Sequence, residues 1–353
     1  MKEILVVEPL CSKNEHLSFN FDLIQTLAEK YYISFCGNSE YIDNLEKTNL
    51  EFKKTYSLLY HKYSIKELFK RYIHIWKILL KNRKNNSIIL FSSFDNTLFS
   101  IFCILYFFIG GFKLRKRIVL VCHNNLYTLK KNYTKRFFFK ISCILYKIRI
   151  IVLTEKMFSI SKNILSDNTF LYRHPYYKKD IQEVKNNSIC KLLLVGRQAN
   201  YAVQSGFIYD IINILNDIKK ENLDWQVELH IGSEIYGEVD SIFPVFKYPL
   251  IDNNTYTRLF NEASFILFPY NINDFYRASG VLMDAISYNT SFIAPRDGHF
   301  KEYGDCGFLY SNLSELSIIF NNLVNNNCSG FKQAIINKKK EIDTNKKKLF
   351  EII

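Results

Sequence analysis

Short apolar runs recur along the chain, each closed by a glycine or a polar loop and each followed by a stretch with helical spacing of apolar residues. The first is Ile4–Val7, followed by the polar loop 11–16 and a helical pattern beginning near Asn20, with Phe21, Leu23, Ile24 and Leu27 on one face. Tyr32–Cys36, ending at Gly37, Ser87–Phe91, Arg117–Cys122 and Arg149–Leu153 read as further strands with helices between them. A second series comprises Lys191–Val195 before Gly196, Trp225–Ile231 before Gly232, Val245–Tyr248, Ser264–Phe268 and Thr290–Ala294. Continuous apolar strands alternating with helices predict βαβ units around parallel sheets buried on both faces.

A chain of 353 residues is long for one core, so two domains are expected. The two series meet near 175–190, where the polar run Glu183–Ser188 has the character of a linker. The reading is therefore an N-terminal α/β domain over 1–178, a C-terminal one over 190–325, and a Lys- and Asn-rich segment, 326–353, of one or two helices that are exposed or pack back on the N-terminal domain. The apolar stretch Leu98–Ile109 falls short of the ~20 residues that span a bilayer. It is stopped by Gly110, Gly111 and the basic run Lys113–Arg117, so it predicts a helix that is buried or lies in a membrane interface.

Apolar residues at 48% and scarce Gly and Pro describe a globular protein. The eight cysteines include no CxxC pair and mostly sit in apolar runs, which predicts small buried hydrophobes in a reducing compartment and no metal cluster. The N-terminus enters a strand directly, so the expectation is a cytoplasmic protein. Net charge is +13, and its distribution adds more. Residues 1–180 hold 30 Lys/Arg against 14 Asp/Glu, and the remainder 17 against 20. Such an asymmetry fits a polyanion or anionic membrane facing one half, or else a merely solvated basic surface. Nucleic acid is not expected, because no recognition motif accompanies the charge.

Ligands of open α/β sheets collect at the carboxyl ends of strands. In the second half, strand 264–268 runs through Pro269 and a polar loop into Tyr276, Arg277, Ala278, Ser279 and Gly280, and then into a helix. Ser279 and Gly280 thus stand at a helix N-terminus, where free N–H groups and the helix dipole suit a phosphate; an ordinary helix cap is the plainer alternative. Arg277 adds a charge, and Asp284 lies one turn inside the helix, where it can face ribose hydroxyls. In the first half, His123 and Asn124 follow strand 117–122. The loop after the first strand brings Glu15, His16 and Asn20, polar groups suited to binding an acceptor or acting as a base, with helix capping by Ser18 equally open. His174, before Pro175, reads as structural.

The run from Tyr276 to Asp284 resembles the donor-binding segment of GT-B glycosyltransferases, which have two Rossmann domains, and of family 4 in particular. There a proline and a Glu-Gly-Phe-Gly turn precede a glutamate-bearing helix. The likeness continues through Ala285–Asn289, Phe292–Pro295, Gly298, Glu302 and Gly307, and backwards to Gly196, Arg197, Gly232, Ser233 and the helix Tyr256–Ala263, about 120 residues in order. Here Tyr276 replaces the family's first glutamate, Asp284 shortens the second, and 198–207 has no basic residue.

The resemblance implies an α/β GT-B fold, two Rossmann-like domains with parallel sheets facing across a cleft. It implies a metal- and cofactor-independent hexosyltransferase-type enzyme in which Gly196, Arg197, Gly232, Ser233, Tyr276, Arg277, Ser279, Gly280 and Asp284 bind a UDP- or GDP-linked sugar. His123, Glu15 and His16 are the candidates for catalysis, and Asn20 and Asn124 for the acceptor. The mixed cationic and aromatic segment Lys130–Lys147, and His61–Lys84 like it, suits an anionic membrane surface. The expected acceptor is accordingly a polyprenyl-diphosphate-linked saccharide, in surface polysaccharide synthesis of the O-antigen or capsule type on the inner face of the cell membrane. A GT-B epimerase and a non-catalytic sugar-nucleotide or membrane-binding scaffold are the alternatives.

Overall fold

A computed structural model describes residues 1–11, 16–58, 64–82, 87–165, 168–177, 188–233, 240–269, 278–325 and 330–353. Two units emerge. Unit 1 takes in Met1–Tyr177, Ala278 and Ile342–Ile353, and unit 2 takes in Lys178–Asn273 and Ser279–Glu341.

Unit 1 alternates strands and helices: β1 (Lys2–Val7), α1 (Leu17–Ala28), β2 (Tyr31–Asn38), α2 (Ser39–Glu46), β3 (Lys54–Leu58), α3 (Ile65–Lys81), β4 (Ile88–Phe91) and α4 (Asn96–Phe107). It continues with β5 (Ile118–Cys122), α5 (Asn125–Lys131), α6 (Tyr133–Tyr146), β6 (Arg149–Val152), α7 (Glu155–Ile164) and β7 (Thr169–Leu171). The seven strands lie in the order β3-β2-β1-β4-β5-β6-β7 and every pair is parallel, with Val6 opposite Phe35 on one side and Leu90 on the other. Ile4, Val6 and Val7 are fully buried, as are Leu90, Phe91 and Ile118–Leu120, which explains why these strands are continuously apolar. Chain order reverses between β1 and β4. With right-handed crossovers, α1 and α2 therefore pack together on one face and α3, α4 and α6 on the other.

Unit 2 repeats the plan with β8 (Cys190–Leu194), α8 (Arg197–Gln204), α9 (Phe207–Glu221), β9 (Val227–Ile231), β10 (Val245–Lys247), α10 (Asn253–Glu262), β11 (Phe265–Leu267), α11 (Gly280–Ser287), β12 (Ser291–Pro295), β13 (Gly307–Tyr310) and α12 (Leu313–Asn325). Its six parallel strands run β10-β9-β8-β11-β12-β13, reversing between β8 and β11. The C-terminal segment consists of α13 (Gly330–Lys346) and α14 (Leu349–Ile352). Its last residues, 342–353, belong to unit 1. There Leu349 and Ile352 enter the core, Lys346 pairs with Asp22, and Arg149 donates to the carbonyls of Ile352 and Ile353 at 2.6 and 2.8 Å.

Three strands, β3, β7 and β13, add to those expected, and all three are sheet edges. The helix over 98–109 is α4, half of which is buried against α6. Ser18 does not cap α1. The cap position is His16, in the left-handed conformation and without a side-chain bond to the helix. Among the described residues the seven cysteines are all free, six of them buried, and no helix is long and apolar enough to cross a membrane.

Candidate functional site

Both units place polar groups where strand order reverses, the position at which α/β sheets bind ligands. In unit 2 this point lies after β8 and β11. Gly196, directly after Val195 at the end of β8, adopts φ +72°, a left-handed conformation that glycine takes without steric cost. A Cβ there would come within 3.2 Å of Val281 Cγ2, so Gly196 lies against the first turn of α11. Ser279 caps that helix, its hydroxyl accepting from Leu282 N at 3.2 Å, while its own N–H donates to His299 Nδ1 at 2.9 Å. The Gly280 and Val281 amides belong to the first turn, which has no intrahelical acceptor to offer them. Gly280 has an ordinary negative φ and a Cβ there would meet nothing within 4 Å. Neither backbone strain nor internal packing requires glycine at 280, so an open approach to the helix end is what it supplies.

The rest of this corner is held from within unit 2. Asp284, half-buried on α11, accepts from Tyr256 Oη at 2.8 Å, and burial beside that carboxylate raises the Tyr256 hydroxyl well above its ordinary pKa. Ser233, after β9, is buried and its hydroxyl bonds to Asn200 Oδ1 on α8. Gly232 packs tightly, since a Cβ would meet Ile251 Cδ1 at 2.5 Å. Arg197 opens α8, although its side chain is outside the described set. Tyr276 and Arg277 lie outside the described residues, as does Glu15.

Unit 1 places a buried carboxylate at its own reversal. Glu8 directly follows β1 and is 1% exposed. One of its oxygens accepts from the amides of Leu10 and Cys11, each at 3.1 Å, and from Ser93 Oγ; the other accepts from Asn20 Nδ2 at 3.1 Å and Ser92 Oγ at 2.8 Å. No cation is needed to satisfy it, because five donors do. Asn20, expected at the acceptor, is instead wholly buried on the inner face of α1, its amide bonded to Glu8 and to Tyr41 Oη at 2.7 Å. Glu8, Cys11 and His16 also bring one potential metal ligand each within 4.8 Å of one another, yet both Glu8 oxygens are already engaged by N–H and O–H groups.

The Glu8 network extends to histidine. Ser92, whose hydroxyl binds Glu8, presents its carbonyl to His123 Nε2 at 3.0 Å. A carbonyl only accepts, so Nε2 carries the proton and Nδ1 keeps its lone pair. Burial, then the neighbouring His16 and His174, hold the His123 pKa well below its usual value. The exposed His16 ring lies 4.5 Å from that of His123 at 33°, and Phe19 packs edge-on between His123 and His174. His174 is buried and donates Nδ1–H to the Pro175 carbonyl at 2.7 Å; burial lowers its pKa to about 4. Asn124 is exposed at the start of α5. The structure thus gathers His16 and His123 and removes Asn20 from solvent. It also adds Glu8, Ser92, Ser93, Tyr256 and His299, none of which was expected.

No protein-family model matches the sequence, and no curated protein matches it. Solved structures share the fold. The chain superimposes on Anabaena HepE in complex with UDP and glucose with a TM-score of 0.66 at 12% identity, over 99% of both chains. The UDP-GlcNAc 2-epimerase from Neisseria meningitidis bound to UDP-GlcNAc matches with a TM-score of 0.56 at 14% identity, over 98% of this chain and 99% of that one. The glycotransferase of kitacinnamycin matches with a TM-score of 0.57 at 11% identity, over 98% and 95%. These neighbours define the fold class as GT-B, two Rossmann-like units with parallel sheets of seven and six strands.

Proposed function

We propose that the chain is a metal-independent glycosyltransferase that takes a sugar from a nucleoside diphosphate to a saccharide acceptor. The observation that carries this reading is the start of α11. There the Gly280 amide, open to approach, stands beside the left-handed Gly196 at the strand-order reversal of unit 2. Such a corner suits a diphosphate, since helix N–H groups and dipole receive the charge that develops as the sugar's anomeric carbon leaves the β-phosphate oxygen. Neighbours of the same fold are described in complex with UDP, UDP-glucose and UDP-GlcNAc, which supports a uridine nucleotide as the first ligand to try. Arg197, Arg277, Tyr276, Ser233 and Asp284 are assigned to the donor with the same reading.

In the transfer, the acceptor hydroxyl forms a bond to the anomeric carbon, the bond to the diphosphate breaks, and the hydroxyl proton passes to a base. The neutral His123, with its lone pair on Nδ1, has the right protonation state for that role; His16 and Glu15 are the other candidates. Asn124 is assigned to the acceptor, which we take to be a lipid-linked saccharide of surface polysaccharide synthesis.

Calorimetric titration with UDP, GDP and their sugar conjugates tests the site. Binding of at least one nucleotide, lost in Gly280→Trp while the circular dichroism is unchanged, is the expected result. Equal affinity of parent and variant for every nucleotide bound refutes the assignment. Epimerases among the neighbours supply a second reading. Conversion of a UDP-sugar to its 2-epimer with no acceptor present, followed by proton NMR, would replace transfer with epimerisation.

A further inference from the structure

Outside these sites, the helical layer of α3, α4 and α6 in unit 1 has an arrangement contrary to ordinary surface design. α6 buries Phe139, Cys143 and Tyr146, yet its solvent side presents Tyr133, Phe137, Lys140, Ile144 and Lys147 at spacings of four, three, four and three. This outer stripe is thus apolar and cationic at once. α4 presents a purely apolar outer stripe of Ile101, Leu105 and Phe108 at spacings of four and three. Phe108 is 79% exposed and Ile144 71%.

The two helices that carry these stripes pack together. Ser142 Oγ of α6 donates to the Ser100 carbonyl of α4 at 3.3 Å, and Tyr146 Oη to that of Cys103 at 3.0 Å. The turn Gly111–Leu114, which bears the exposed Phe112 and Lys113, is pinned to the same place, because a Cβ on Gly111 would lie 2.4 Å from Tyr146 Oη. Charge over this region has one sign. Residues 96–154 contain eleven Lys and Arg and no Asp or Glu.

We infer that the outer face of α4, the turn Gly111–Leu114 and α6 docks on an anionic lipid leaflet, with Leu105, Phe108, Phe137 and Ile144 entering the acyl boundary and the lysines meeting phosphates. Exposed large apolar side chains on a wholly cationic background fit a surface that is anionic outside and hydrocarbon beneath. A nucleic acid offers the charge without the hydrocarbon. A second copy of this chain would bring the same sign of charge against it. The docking gives a lipid-linked acceptor its place, and to that extent rests on the transfer reading, but it is measured with no sugar nucleotide present.

The test is flotation of the full chain with vesicles containing about 30% phosphatidylglycerol, or phosphatidylcholine alone, at low and high salt. Binding to the anionic vesicles at low salt, weakened by salt and absent with phosphatidylcholine alone, is expected. Replacing Lys113, Lys140 and Lys147 by Gln should lower the partition coefficient about a hundredfold, at roughly fivefold per charge. Phe108→Ser with Ile144→Ser should lower it by about tenfold or more. The control pair Leu223→Ser and Leu250→Ser, highly exposed positions of unit 2, should leave it unchanged. All of these side chains are exposed, so unchanged thermal melting separates lost docking from lost folding. No flotation with anionic vesicles at low salt overturns the inference, as does flotation indifferent to the serine changes. Retention on single-stranded RNA in place of vesicles would assign the face to nucleic acid instead. Nucleotide titration of the same preparation tells a failure of docking from a failure of the sugar-nucleotide reading.

Discussion

Removal of the Glu8 carboxylate should cost unit 1 about 3 to 5 kcal/mol, the range found when one member of a buried, charged network is deleted. The figure follows from how its five donors can respond. Ser92 and Ser93 can rotate their hydroxyls, and Asn20 keeps its bond to Tyr41. The Leu10 and Cys11 amides are fixed by the backbone and point at Glu8 from 3.1 Å. Each buried amide left without an acceptor costs about 1 to 3 kcal/mol, and the vacated carboxyl volume adds to the loss. Glu8→Gln keeps the shape and one acceptor oxygen for the three donors on that side. Its amide faces Asn20 and Ser92, both of which can turn to accept, so it should cost only about 1 to 2 kcal/mol.

The chain's two tryptophans make the measurement specific. Trp76 is fully buried in unit 1 and Trp225 lies in the core of unit 2, so a Trp225→Phe background leaves one fluorophore that reports unit 1 alone. Urea unfolding followed at Trp76 gives the cost of each variant directly. A Glu8→Ala loss below about 1 kcal/mol, or a Gln variant as damaged as Ala, would refute the claim that this carboxylate organises the ends of β1 and β4.

Three further outcomes follow from the same structure. His174 binds its proton with a pKa of about 4 when folded against 6.5 ordinarily, so the folded state holds fewer protons between those values. The contribution is complete above pH 6.5 and lost as pH falls through about 4, by up to about 3 kcal/mol; urea curves at Trp76 for parent and His174→Gln should diverge in pH slope over that window, and parallel slopes would disprove it. Gly196→Ala places a Cβ at φ +72° and 3.2 Å from Val281, costing unit 2 about 1 to 2 kcal/mol; a change within error, read at Trp225, counts against it. Tyr256→Phe removes the 2.8 Å bond to Asp284 and should cost about 1 kcal/mol, with nucleotide affinity falling less than in Gly280→Trp; a loss as large as that of Gly280→Trp would make Tyr256 a ligand contact.

The buried strands were legible in the sequence because burial on both faces leaves only apolar residues, as in Ile118–Cys122. The edges were not. β3 reads Lys-Thr-Tyr-Ser-Leu and has mostly exposed positions, and β7 has only three residues; each is a strand because of its neighbour rather than its own pattern. Ser279 and Gly280 could be read because a helix cap is a local signal. Glu8 could not, since Ser92 and Ser93 stand 84 and 85 positions away and only the fold brings them together. The burial of Asn20 had a local signal. Leu23, Ile24 and Leu27 lie three, four and seven positions after it, which puts it on the inner face of its own helix.

The return of residues 342–353 to unit 1 sets an order of events during synthesis. The ribosome finishes Tyr177 and then makes residues 178–341 before the closing segment appears, a delay of roughly ten to thirty seconds at about 5–20 residues per second. Throughout that interval the socket for Leu349 and Ile352 stays open, and Asp22 and Arg149 await Lys346 and the carbonyls of Ile352 and Ile353. The half of the chain made first is therefore the half completed last, and a translation product arrested before residue 342 presents that apolar socket to chaperones and proteases.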